Sequence, residues 1–305
     1  LKSHPQPSAK QHKEGLIYGL LGVLAFSTTL PATRLAVKSF DPMVVSLGRD
    51  VVAGVLSVAL LWLTRQPWPT RPQFRRLLFV MAGVVFGFPI LMSWAMSRVE
   101  ATHGAVVLGL LPLGTAIAGF IISHERPSFT FWCASVLGSA TVITFSLVNG
   151  GGHFHAADVA LLGAAAFAAL GYAQGARLSK ELAGWQVICW ALALALPLTL
   201  PLAALAVWRY GLSGTATAWG AFFWISVISA FLGFFAWYRG LAAGGVARIS
   251  QIQLLQPFFT LIVASLFIGE HFKLSALIAA TIVALSIFIS RRSKIVTLHH
   301  PSPAN

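Results

Sequence analysis

The chain has 305 residues, 57% of them apolar and only 10% charged; soluble globular proteins carry about a quarter charged residues, so the composition argues against a water-soluble enzyme. The 22 Phe and 10 Trp rule out a disordered chain, and a mean hydropathy of +0.80 leaves an integral membrane protein. The net charge of +13 would point to nucleic acid in a soluble protein, but the basic residues are spread over short loops and tails, as in the cytoplasmic loops of membrane proteins; the expected partners are membrane lipid and a small-molecule substrate, not nucleic acid.

A helix needs about 20 apolar residues to cross the hydrocarbon core. Broken at charges, prolines and glycine clusters, the sequence offers such runs near 15–33, 43–63, 74–97, 101–122, 129–148, 157–178, 184–207, 217–241, 246–268 and 272–290. The expected fold is therefore an all-α polytopic membrane protein with ten transmembrane helices. Lys10 and Lys13 ahead of the first run imitate a signal peptide, but the internal repeat needs that run as a retained span. With the N-terminus inside, the outside segments hold only Arg34, Lys38, Arg98, Arg209 and Lys273, and apart from Arg49 the other Lys and Arg fall inside. That bias puts both termini in the cytoplasm.

Glu125 follows Pro112 at the same spacing as Glu270 follows Pro257, and each proline sits inside an apolar run with its glutamate just beyond. Trp94 and Trp237 precede these prolines at similar distances, and Arg34 and Arg177 each end the first run of a half. The chain then divides into a tail at 1–13, a five-helix repeat at 14–148, a loop at 149–154, a second five-helix repeat at 155–291 and a tail at 292–305. Five is odd, so the second copy enters from the opposite side: two inverted repeats, an arrangement of many secondary transporters.

Several polar residues are costly in such runs. Arg49 lies about six residues into the second run, roughly 9 Å deep at 1.5 Å per residue. An Arg in hydrocarbon must pair, snorkel or face water, so it either meets a substrate carboxylate in a cavity or forms a structural pair. Asp50 points about 100° away and is not the expected partner. His103 opens the fourth run, where a ring nitrogen can bind substrate or take a proton. Gln251, Gln253 and Gln256 share the ninth run; Pro257 has no N–H to give the Gln253 carbonyl, so a free carbonyl beside amides would suit an ammonium, with Ser229 and Ser250 adding hydrogen bonds. The alternative is interhelical bonding. Trp94, Tyr172, Trp237 and Tyr238 are candidate aromatic walls. Pro112, Pro257, Glu125 and Glu270 are structural, the glutamates capping the helices that follow them. Cys133 and Cys189 are expected as small core residues, and no metal or cofactor motif is present. Of the acids only Asp50 lies clearly inside a run, so a carboxylate-run proton antiport has little support, leaving downhill facilitation or coupling through His103.

The stretch from Trp237 to Ser290, with Gly244-Gly245, the glutamine-rich helix, Pro257 and Gly269-Glu270, resembles the second half of the EamA-type drug/metabolite transporter superfamily. The first half carries a weaker copy in Asp41-Pro42, Arg49, Pro112 and Glu125. Within that superfamily the chain looks like the bacterial aromatic amino acid exporters. It departs at Phe26-Ser27, where many members have Trp-Gly, at Asp50 beside Arg49, and at Ala279-Ala280. The resemblance implies a carrier in the bacterial inner membrane, working by alternating access, with its substrate near the midplane between the first, third and fourth helices and the sixth, eighth and ninth.

The expected activity is export of small organic metabolites, foremost amino acids including aromatic ones, and not enzymatic catalysis. An exporter of drugs or nucleosides is the alternative, and a channel would lack the second gate. A lipid acyltransferase is a different class; His153 and Asp158 have its H-x4-D spacing, but no second element accompanies them. The sequence leaves the oligomeric state open, a monomer included. A reporter fused after Asn305 should be active only as a cytoplasmic reporter; periplasmic activity there would refute the topology.

Overall fold

Apolar stretches of this length become helices because hydrocarbon supplies no partner for a backbone N–H or C=O. The computed structural model describes residues 9–123, 125–126, 129–149, 155–244, 249–270, 274–291 and 296–297. Its helices are α1 (Ala9–Ser27), α2 (Thr29–Ala36), α3 (Pro42–Leu63), α4 (Arg71–Val80), α5 (Phe88–Met96), α6 (Ala101–Leu108), α7 (Leu111–Ser123), α8 (Phe129–Asn149), α9 (Ala156–Leu178), α10 (Gly184–Tyr210), α11 (Ala216–Trp224), α12 (Gly233–Gly244), α13 (Gln256–Ile268) and α14 (Leu274–Arg291). Glu125–Arg126 pairs antiparallel with Val296–Thr297. Among the described residues six continuous segments are long and apolar enough to cross a membrane: Lys13–Ala36, Pro42–Leu63, Arg71–Met96, Ala156–Leu178, Gly184–Tyr210 and Ala216–Gly244. Three shorter apolar helices, Ala101–Thr115, Ile252–Ile268 and Leu274–Ser286, lie among them. The protein is a multi-pass, all-helical membrane protein.

The irregularities fall in matched places. α4 and α5 are joined by a π-helical stretch, Met81–Gly87, and α11 and α12 by another, Ile225–Leu232. α6 and α7 are separated at Gly109 and Leu110, whose N–H groups bond Val106 O and Val107 O in tight turns. A 3-10 stretch, Ser250–Leu255, precedes α13. Both breaks come just before a proline, Pro112 or Pro257, because proline cannot donate to the turn behind it. The carbonyl of Gln253 is not left free as the sequence implied: the Gln256 N–H takes it in the 3-10 turn.

Helix pairing follows the small residues. α1 packs on α12 through Gly15 and Gly19 against Gly240 and Gly244; a Cβ on Gly15 would sit 2.7 Å from Gly244 Cα. Glycines four apart allow backbones this close, as in small-xxx-small membrane contacts. Further along, Gly22 meets Trp237 and Thr29 meets Ser229, so the two helices run antiparallel. In the counterpart pair Gly83 and Gly87 abut Phe167, and Leu91 abuts Gly163, again antiparallel. α3 runs antiparallel to α10, with Gly54 on Leu196 and the Gln186 amide donating to Gln66. α6 runs antiparallel to α13: Gly109 faces Pro257, and Glu270 reaches the start of α6.

That last contact corrects an expectation. Gly269 ends α13 at φ +69, a left-handed turn that suits glycine. The turn sends the Glu270 carboxylate to the N–H groups of Ala101 at 3.1 Å and Thr102 at 3.0 Å. Glu270 therefore caps α6, in the other half, where the sequence implied the helix that follows it. The Glu125 side chain lies outside the described residues. Cys189 is buried, but Cys133 is exposed and not a core residue, because α8 turns that face away from the bundle. Replacing Gly240 by Ala should lower stability by about 1–3 kcal/mol through overpacking, measured by thermal unfolding in detergent. Gly220→Ala, where a Cβ meets nothing within 4 Å, should cause no loss.

Candidate functional site

Where the irregular helices meet, side chains from both halves wall a narrow cavity with room for about one water molecule, so a substrate enters it only as the helices part. One side is formed by Phe26, Thr29, Leu30, Arg49, Phe88 and Met92, with Leu108 and Leu111 at the break between α6 and α7. Tyr172, Ser229, Phe234 and Gln256 close the other side. The contributing segments are thus α1, α2, α3, α5, α6 and α7 from one half and α9, α12, α13 and the second π stretch from the other.

Among the described residues of the wall the one charged side chain is Arg49. Its Nε donates to Asp50 Oδ1 at 3.2 Å, and both side chains are 2% exposed. Asp50 is therefore its partner after all. The 100° between neighbours on a helix is bridged by the length of the Arg side chain, and a guanidinium buried this deeply requires a counter-ion. Arg49 Nη1 and Asp50 Oδ2 remain without partners. Thr29 Oγ1 and Ser229 Oγ bond each other at 2.7 Å, so Ser229 does not serve the glutamines.

The aromatic part is a cluster. Phe26 meets Phe234 edge-on at 4.9 Å between ring centres and stacks on Tyr172 at 6.2 Å. Trp237 stands behind them, 5.7 Å from Tyr172, fully buried with its indole N–H unpartnered. Tyr238 is also fully buried, and its hydroxyl donates to Gly171 O at 3.3 Å; neither residue is in the cavity wall. Gln256 is in the wall. Gln253 is 1% exposed with neither amide atom paired, and the Gln251 and Ser250 side chains lie outside the described residues. Thr260 Oγ1 donates to Ser27 O at 3.1 Å, which fastens α13 to α1.

Two candidates lie elsewhere. Trp94 is near the end of α5 under the Arg98 guanidinium, 3.7 Å from its ring centre, so it is a cation–π platform. His103 Nε2 lies 2.6 Å from Asp158 Oδ1, with side-chain exposures of 13% and 1%. Asp158 Oδ2 also accepts the His155 N–H at 3.0 Å. Asp158 is thus a second buried acid, at the first turn of α9, because His103 of α6 and the helix N-terminus together satisfy it. His153 lies outside the described residues. Among the described residues no group of three or more His, Cys, Asp or Glu could hold a metal.

Ser229, expected beside the glutamines, is in the wall, whereas Phe26, Thr29 and Phe234 escaped the sequence reading as wall residues. The repeat could have found Thr29, which precedes Arg34 by the same step as Tyr172 precedes Arg177.

The EamA-like transporter family matches residues 13–147 and again 155–292. The uncharacterized transporter YdeK of Bacillus subtilis is 43% identical over 286 residues, 91% of this chain and 97% of that protein. A probable terminal-alkyne amino-acid exporter of Streptantibioticus cattleyicolor is 24% identical over 282 residues, 90% of this chain and 92% of that protein. A crystal structure described only as that of a protein aligns with a TM-score of 0.65 at 17% identity, over 92% of this chain and 96% of the other; that likeness shows the fold alone.

Breaking a buried pair by removing one partner costs about 3–5 kcal/mol. His103→Ala should lose about that much in thermal unfolding, and adding Asp158→Asn, which discharges the orphaned acid and keeps its cap, should recover part of the loss. A double variant no more stable than the single one would show that no buried charge had been stranded.

Proposed function

The chain belongs to the EamA-like transporter family, and from that premise we propose that it exports amino acids, aromatic ones among them, across a bacterial inner membrane by alternating access. The observation that carries this reading is the cavity: its walls come from both halves, at helices that break or widen in matched positions, around one buried Arg and an aromatic cluster. Discontinuous helices in corresponding places are where carriers bind substrate.

The ten spans form two inverted five-helix repeats, 14–148 and 155–291, in this reading. Support comes from equivalent helices that pack antiparallel, α3 on α10 and α6 on α13, and from the exchanged pairs of α1 with α12 and α9 with the segment around Gly83. Contacts between the halves gather at the two ends. Glu270 on α6 and His103 with Asp158 hold one end. Glu14 with Arg239, Arg76 with Glu181 and Gln66 with Gln186 hold the other. With both termini cytoplasmic, the first group faces outward and the second inward.

The likeness to the probable terminal-alkyne amino-acid exporter supports amino acids as the substrate class. Against an acyltransferase, Asp158 is taken up by His103 and by the α9 cap. Proteoliposomes should take up radiolabelled phenylalanine faster than empty vesicles. Phe234→Ala should slow phenylalanine more than threonine, by roughly five- to tenfold, since an aromatic contact adds about 0.5–1.5 kcal/mol to the area it buries. Uptake of nucleosides or cationic dyes without any amino acid would move the assignment to the other branch of exporters.

A further inference from the structure

The substrate class can be narrowed by asking which end of an amino acid the cavity reads. Resting on the reading that this cavity is the carrier's substrate site, we propose that it recognises the carboxylate and not the ammonium, so that its ligand class is an apolar or aromatic monocarboxylate, with or without an amino group.

Among the described residues the wall contains one ion, Arg49, and no acid. The counter-ion Asp50 is held at the guanidinium Nε and does not line the cavity. A guanidinium has five N–H donors in a fixed fork, and Asp50 occupies one side of that fork. Nη1 is buried and unpartnered, which is costly for a charged donor. A carboxylate brought into the cavity removes that cost, because planar Arg and carboxylate groups match as two parallel hydrogen bonds. Other buried polar atoms without partners stand behind the wall: the indole N–H of Trp237, beside Phe26 and Tyr172, both amide atoms of Gln253, one turn before Gln256, and Asp50 Oδ2.

An ammonium finds no such reception. It brings three donors and needs acceptors, preferably charged ones. The wall carries three hydroxyls, those of Thr29, Ser229 and Tyr172, with Thr29 and Ser229 bonded to each other at 2.7 Å; all three are neutral acceptors. The Gln256 carbonyl belongs to the backbone of α13 and already faces the Ser27 hydroxyl at 3.5 Å. The side-chain acceptors of the described wall, these hydroxyls and the Gln256 amide, are all neutral and stand beside a positive guanidinium that repels the ammonium. Phe26, Phe88, Phe234 and Met92 supply the apolar surface for the rest of the molecule.

The test compares three probes of one shape on the purified full chain in detergent at neutral pH: phenylalanine, phenylpropionate, which lacks the amine, and phenethylamine, which lacks the acid. Each is scored by the shift it causes in the melting temperature. Phenylpropionate should stabilise the protein about as well as phenylalanine, and phenethylamine should not. Arg49→Gln should weaken the acid's effect at least tenfold in concentration, the equivalent of one charged hydrogen bond, while Arg49→Lys keeps part of it. Should Arg49→Gln fail to fold, the double variant Arg49→Gln with Asp50→Asn decides: it removes both charges of the pair, strands neither, and should likewise lose the acid's effect. Stabilisation by phenethylamine equal to that by phenylpropionate, or acid binding unchanged in the double variant, overturns the proposal.

The two readings fail separately. Phenylpropionate binding through Arg49 without any uptake of phenylalanine by proteoliposomes removes amino acids as the exported class and supports carboxylate recognition. Phenylalanine uptake with binding that depends on the amine does the reverse. No stabilisation by any of the three probes overturns carboxylate recognition, and export is then judged by uptake alone.

Discussion

Backbone polar groups unpaired in hydrocarbon cost several kcal/mol each, so irregular backbone at membrane depth survives only where protein or water encloses it. This constraint organises the molecule. Among the described residues its spans depart from regular α-helix at Thr28, at Met81–Gly87, at Gly109 and Leu110, at Ile225–Leu232 and at Ser250–Leu255. All five departures lie at or next to residues of the cavity wall: Thr29, Phe88, Leu108 and Leu111, Ser229, and Gln256. Lipid-facing helices such as α10 stay regular even across Pro197 and Pro201. The cavity therefore sits where the fold concentrates its backbone defects, and the glycine contacts between α1 and α12 hold the surrounding helices close enough to enclose them.

The buried ions follow the same logic. A lone guanidinium at this depth could not persist, and Asp50 neutralises it within the same helix turn. His103 and Asp158 form the second such pair, supported by the α9 N-terminus. In each case one acid is committed, which leaves the cavity wall with a positive group whose counter-charge faces elsewhere. That asymmetry gives the site a chemical preference although the pair is neutral overall.

Most of the helix placement was legible because apolar runs of about 20 residues have few other uses. The repeat was legible in Pro112, Pro257 and the glutamates because a proline removes one helix hydrogen bond and these two recur at one spacing from their glutamates, whereas Pro197 and Pro201 lie in a helix that stays regular. Side-chain partnerships were not. Arg49 with Asp50 defied the rule for neighbouring residues, since that rule concerns Cβ directions and a long side chain can turn back. Trp94 looked like the equivalent of Trp237 by spacing, but it lies close to the membrane surface, where Arg98 covers it. His103 found Asp158 across 55 positions of sequence, a pairing that only the packing of α6 on α9 creates. Glu270 capped a helix in the opposite half for a related reason: the direction taken after Gly269 is a property of one left-handed residue.

The two ends of the bundle are fastened unequally. At one end His103 and Asp158 are largely buried, and the Glu270 carboxylate holds two backbone N–H groups. At the other end the side chains of Arg239 and Glu14 are 57% and 37% exposed, and those of Arg76 and Glu181 are 28% and 42% exposed. Exposed ion pairs contribute about 0–1 kcal/mol each, whereas separating a buried pair strands charge in a low dielectric. Opening the exposed end is therefore the less costly motion. In the proposed topology that end is cytoplasmic, which is where an exporter loads, so the resting carrier would expose its cavity to the compartment that holds its cargo. The buried pair at the far end then sets the larger barrier, and the carrier needs help to cross it only once a carboxylate has joined Arg49 and the two halves close around it.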